Sequence, residues 1–250
     1  MMATLFEYCF QSDSYGVHPP RLTPFYVNIL IFQTNRSLEL YKKTENKIWS
    51  IETKLVLKQM GKLAFTMLQR NSKVFFEKDM MECDLDLREV TVFSGLCAEL
   101  PTASSRGQRE FCYVHFTLQE FMAALYVFTM FRSESKNVLD SGSWHTPTVL
   151  TSKAQSKSIL SLVQSAVELT LSASLGHYDM FLRFLCGLLS PDCHDRLLGG
   201  LLFPHDAAKV SGLDEVQQLL VRTIQSAQHN NRTRLENLEE CLREMIQVDE

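Results

Sequence analysis

A chain of 250 residues, 45% of them hydrophobic, can bury a sizeable core as one large domain or two smaller ones. Its 25 basic and 29 acidic residues leave a net charge of -4, which excludes any nucleic-acid or anionic-membrane role that is not built on a local basic patch. The seven cysteines have irregular spacing and no CxxC or Cys/His grouping, which argues against a structural zinc site and fits reduced, mostly buried thiols.

The first residues, Met1 to Phe6, lack a basic region followed by an apolar stretch, and no apolar run reaches membrane-spanning length. A cytoplasmic location is therefore expected, with neither membrane nor nucleic acid as partner. The triplets Asn35–Ser37 and Asn231–Thr233 match a glycosylation acceptor, a short pattern that matters only in a secreted chain.

Residues 1–22 carry Gly16, Pro19 and Pro20 without helical or strand period and read as an irregular lead-in. Thr23-Pro24 is a cap followed by a first-turn proline, and Phe25, Ile29, Leu30 and Phe32 predict a helix to about Gln33. Thr34 to Asn46 is polar and reads as a linker. Residues 1–50 are thus expected to be a lead-in and the remnant of a first helical domain.

Leu55, Met60, Leu63, Ala64, Met67 and Leu68 form an apolar stripe that predicts a helix over Ile51 to Gln69. After the short apolar stretch Val74 to Phe76, acidic residues from Glu77 open a short helix to about Glu82, suited to the positive end of a helix dipole. Another short helix is expected over Leu87 to Ser94. Leu96 to Leu100 and Phe111 to Phe116, separated by the polar loop Pro101 to Glu110, predict a β-hairpin and the only strands of the chain. Three short helices and a hairpin wing are the order of a winged helix-turn-helix domain, expected over 51–116.

Beyond the hairpin the pattern is all-α, an expected helical domain over 117–250. Thr117 and Glu120 fit a capping box for a helix whose apolar face is Leu118, Phe121, Met122, Leu125 and Phe128. Residues 132–157, which include Trp144 and Pro147, read as a surface loop. Helices are expected over Ser158 to Leu171, His177 to Leu189, Asp192 to Leu202 and Asp214 to Ala227. The last, Thr233 to Gln247, places Leu235, Leu238, Leu242 and Met245 on one face. No repeat of solenoid period is evident. The fold class is mainly α: a winged helix with a small β-hairpin, then an all-α helical domain.

Several segments carry a resemblance in consistent order: Leu22 to Val27, Gly61 to Phe65, Phe76 to Asp79, Ser94 to Leu96, Tyr113 to Tyr126 and Gly176 to Leu188. Over roughly residues 20–245 the chain resembles the winged-helix and second helical domain region of NOD-like receptors. The resemblance implies a non-catalytic regulatory part of an innate immune receptor, in the manner of inflammasome proteins. It would couple nucleotide state to receptor closure. The implied partners are a NACHT nucleotide domain, leucine-rich repeats or other NOD-like receptors.

In that family the histidine of the Tyr-Val-His-Phe-Thr segment reaches the phosphates of bound ADP and holds the closed, inactive receptor; the matching residue is His115. An imidazole N–H donates to a phosphate oxygen, and protonation adds positive charge beside the anion. The plain alternative is a histidine at a strand-to-helix junction that bonds a backbone carbonyl. No Gly-x-x-x-x-Gly-Lys-Ser/Thr occurs, so the phosphate cradle and its lysine are missing and binding of ADP or ATP is expected only with a complementing nucleotide domain. Residues 1–19 also do not match the family's adenine-contacting segment, as in a truncated or diverged receptor.

Other candidates are weaker. Glu239-Glu240 and Asp84/Asp86 read as acids on solvated faces. Cys112 lies three residues before His115 in a predicted strand, on the opposite face, so a Cys/His nucleophile pair is not expected. His194 and His205 flank a helix without ligand spacing. The alternative from another class, a DNA-binding winged helix, is disfavoured by a recognition helix with Arg88 as its single basic residue and a wing with only Arg106 and Arg109.

Overall fold

The computed structural model describes residues 21–42, 49–93, 95–101, 108–140, 158–174, 176–226 and 232–245. The predicted lead-in up to residue 20, the wing tip 102–107 with Arg106, and most of the predicted surface loop, residues 141–157, lie outside them.

Helix α1 spans Leu22–Lys42. It runs well past Gln33 because the supposed linker is half core: Gln33, Thr34, Ser37 and Leu38 are buried. Small polar side chains can be buried in a helix whose backbone groups are already paired, so a polar composition alone did not end it. Its first half lies on the helical domain. Its second half reaches the winged helix, where Asn35 Oδ1 accepts a bond of 2.9 Å from the buried Trp49 indole.

Helix α2 spans Ile51–Gln69, as expected, with Ser50 as its cap. Then follow strand β1 (Val74–Phe76), α3 (Glu77–Glu82), α4 (Leu87–Val92), β2 (Cys97–Glu99) and β3 (Glu110–Tyr113). The sheet has three antiparallel strands in the order β1-β3-β2. The hairpin was expected; β1 was not, since three residues are too few to display a strand period. Its register, Phe75 opposite Phe111, puts Phe75, Phe111 and Tyr113 against one another on the inner face. The Tyr113 hydroxyl donates to the Met60 carbonyl at 2.6 Å and fastens the sheet to α2.

Helix α5 spans Phe116–Glu134 and is the centre of the molecule. It is apolar nearly all round, with Leu118 to Leu125 all buried, the condition of a helix enclosed by others. On one side lies α2, where Gly61 permits the approach: a Cβ there would lie 2.8 Å from Tyr126 Cβ and 2.9 Å from the Met122 carbonyl oxygen. On the other side lies α7 (Asp179–Leu188), with Phe121 edge-on to Phe184 at 5.4 Å.

The helical domain is completed by α6 (Ile159–Ser172), a π-helical segment (Asp192–Leu197), α8 (Leu213–Ser226) and α9 (Arg232–Met245). Sequence periodicity predicts an ordinary helix over Asp192 to Leu202. The chain instead widens into the π-helical turn and bends at Gly200, whose positive φ of 77° only glycine adopts freely.

Glu244 on α9, 1% exposed, closes this domain onto α1. Its carboxylate accepts from the Leu22 and Thr23 backbone N–H groups at 2.8 and 2.9 Å and from Arg183 Nε at 3.0 Å. A carboxylate from α9 thus caps the positive end of α1. Beside it, Arg21 donates to Asp192 at 2.8 Å.

Two outcomes follow from this packing. Gly61→Ala is expected to lower stability by about 1–2 kcal/mol, overpacking exceeding the gain in helix propensity; a urea midpoint that does not fall would contradict the close approach. Glu244→Ala strands two amides, leaves Arg183 with Glu240 alone, and should cost about 3 kcal/mol. Amide exchange at Leu22 and Thr23 should accelerate ahead of exchange in α5.

Candidate functional site

The junction between β3 and α5 is built by three elements. The strand ends at Tyr113, three residues before the predicted end, and α5 begins at Phe116 with His115 as its cap in extended conformation. His115 Nδ1 accepts from the Thr117 backbone N–H at 3.3 Å and meets the Thr117 hydroxyl at 2.6 Å. The capping box expected of Thr117 and Glu120 is therefore replaced by a cap two residues earlier, at His115. The Thr117 hydroxyl is engaged by His115 and by the Tyr26 hydroxyl, and Glu120 points inward. Tyr26, from α1, reaches this place because its ring packs on Phe184 at 4.8 Å and Phe121 at 5.7 Å.

With Nδ1 accepting the backbone N–H, Nε2 is the ring nitrogen of His115 left to donate. The ring is exposed, at the positive end of a 19-residue helix. The side chain does bond the backbone, as the plain reading expected, but through an N–H of its own helix rather than a carbonyl. Next to it Phe116 is 58% exposed, with the Lys73 ammonium 5.4 Å from its ring centroid.

Behind this exposed edge lies Glu120. Burial pushes its carboxyl above the ordinary carboxylate range, with the Lys73 charge and the Phe181 backbone N–H pulling the other way and Asp179 adding to the rise. Its Oε2 has no hydrogen-bond partner among the described residues. Burial, then Lys73, lowers His177, while Asp179 opposes the shift.

The remaining candidates are dispersed. Cys112 is half-buried in β3, its thiol pushed up by burial, and no hydrogen bond joins it to His115. His194 is buried in the π-helical segment between Phe128 and Phe203 and beside Asp195. The His205 ring lies where a Cβ on Gly200 would be. Glu240 pairs with Arg183 at 3.0 Å. Among the described residues no group of three or more His, Cys, Asp or Glu could hold a metal ion, and no helix is long and apolar enough to cross a membrane.

A family model described as the NLRC4 helical domain HD2 matches residues 115–249, and one described as the NOD2 winged helix domain matches residues 55–114. The chain belongs to the NOD-like receptor family. Among curated proteins it is 32% identical over 145 residues to mouse "Protein NLRC3" and 31% identical over 143 residues to human "NLR family CARD domain-containing protein 3". Each match covers 57% of this chain and 13% of the relative, so the chain corresponds to a small part of those proteins.

In this NOD-like receptor region the two family matches meet between Val114 and His115, at the junction just described. Sequence reasoning singled out His115 and missed the residues that hold it. Tyr26 lies in the resembling segment Leu22 to Val27, but nothing local marked its hydroxyl for this junction. Glu244 had a signal, an acid beside Cys241 and Met245 on the buried side of α9, where a carboxylate requires a partner.

Glu120 gives the site a pH signature. Its protonated form is favoured in the folded state, so its contribution to stability is greatest at low pH and is lost as pH rises through the ordinary carboxylate value toward the raised folded one. Glu120→Gln should remove that decline and raise the thermal midpoint at neutral pH. Parallel profiles for the two proteins between about pH 4 and pH 7 would contradict it.

Proposed function

We propose that this chain is the regulatory, non-catalytic half of a nucleotide-dependent switch in innate immune signalling, acting in the cytoplasm. It would respond to ADP or ATP held mainly by a NACHT nucleotide domain, in the same polypeptide or another. His115 would donate from Nε2 to a phosphate oxygen, with the positive end of α5 behind it. The observation that carries this reading is the His115–Thr117 cap: it leaves the second ring nitrogen as a donor on an exposed ring at a helix N-terminus. The chain has no phosphate-binding loop, so the adenine and most of the phosphate contacts would come from elsewhere.

The winged helix and the helical domain would move together between closed and open arrangements, because α5 packs against α2 on one side and α7 on the other. Leucine-rich repeats or other NOD-like receptors would be the further partners. Charge supports this reading over a DNA-binding winged helix. Arg88 is exposed on α4, but Asp86 and Glu89 flank it, and Arg109 of the wing is held by Glu99 and Glu77.

Titration calorimetry tests the proposal, with ADP and ATP added to the purified chain alone and mixed with a separately expressed NOD-like nucleotide domain. Binding in the mixture, with ADP affinity lowered about tenfold or more by His115→Asn, is the expected result. Asparagine keeps the cap while removing the imidazole donor. Undiminished affinity in the variant, or tight binding by the chain alone, would overturn the reading.

A further inference from the structure

On the winged helix, away from His115, α3 and α4 enclose a groove of about 450 Å³ lined by Glu77, Met80, Met81, Asp84, Leu85, Asp86 and Leu87. The floor is apolar: Met80 and Leu85 are buried and Leu87 is half-buried. Met81 stands at the lip, a large apolar side chain 68% exposed. Glu77, Asp84 and Asp86, all exposed, form the rim.

Charge is concentrated here. Residues 77–89 carry six acids against Lys78 and Arg88, a net of -4, equal to the net charge of the whole chain. The rest of the chain is therefore balanced, and its negative excess lies in the segment that builds this groove. Arg70 offsets Asp79 and Glu82 on the far side of α3. At the rim the neutralisation is weaker: Asp84, with its side chain 79% exposed, has Lys62 at 3.4 Å, and Glu77 has Arg109 at 3.5 Å. An apolar floor inside an acidic rim repels phosphate and accepts apolar anchors flanked by cations.

We propose that the α3–α4 groove is a docking site for a basic amphipathic helix of a protein partner, whose apolar side chains enter between Met81 and Leu87 while its Lys or Arg residues meet Asp84 and Glu77. This is independent of the nucleotide reading of His115, which lies on β3–α5. Methionine, being unbranched and polarisable, suits a surface that must fit varied apolar anchors.

The test uses the full chain with labelled methionine methyl groups and a short helical peptide of leucine and lysine as probe. A leucine and glutamate peptide of the same pattern serves as control. Saturable shifts confined to Met80 and Met81, weakening with salt, are expected with the lysine peptide only. Met81→Ser and the double variant Glu77→Gln/Asp84→Asn should each weaken binding, the charge variant by about fivefold. Neither change touches the buried core, and asparagine tolerates the positive φ of 61° at position 84. Absence of saturable shifts at these methyls, equal binding of the glutamate peptide, or shifts that depend on protein concentration without peptide and so report a second copy, would each overturn the proposal.

Discussion

Helix α5 has almost no face to give to water, and that constraint organises the molecule. A helix apolar all round must be enclosed, and the elements available to enclose it come from both parts of the chain: α2 from the winged helix, α7 from the helical domain, with α1 laid across. The enclosure requires close approach, and glycine provides it twice. Gly61 lets α5 onto α2, and Gly187 lets Thr23 of α1 onto α7, where a Cβ would lie 2.0 Å from the threonine hydroxyl. The domain boundary, expected from the sequence at 116/117 and placed by the family matches at 114/115, is therefore a boundary in pattern, while the packing runs through it.

The candidate site inherits its geometry from that enclosure. His115 is placed by the strand that Tyr113 fastens to α2 and by the helix whose burial fixes its start. Tyr26 reaches Thr117 because α1 is clamped at its first turn by Glu244 and Arg183. A carboxylate on α9 thus helps set a hydroxyl contact at the exposed end of α5, through a chain of packed helices. A reading of the site as phosphate-sensing would link nucleotide to the far side of the helical domain by the same route.

Much of this was legible in the sequence, for identifiable reasons. Long helices with strong apolar period, such as Ile51–Gln69, declared both ends, and the hairpin was marked by its polar loop. What escaped lacked a local signal. Strand β1 has three residues, and only the register with β3 makes it a strand. The second half of α1 is polar, and its burial depends on surfaces far along the chain. The start of α5 was misplaced by two residues because histidine is not a common cap, and Thr117, the expected cap, spends its hydroxyl on Tyr26 and His115. The π-helical turn replaced a predicted helix in the segment where His194 lies between Phe128 and Phe203.

Whether the winged helix and the helical domain form one body is the question on which the account rests, and native-state hydrogen exchange answers it most directly. Amides of β3, at Phe111 and Tyr113, and of α7, at Phe184 and Leu185, are expected to exchange through the same global opening, with equal free energies and equal response to denaturant. If the strand amides exchanged through a separate, lower-energy opening while α7 stayed protected, the two parts would be independent units, and the central role given to α5 would be wrong.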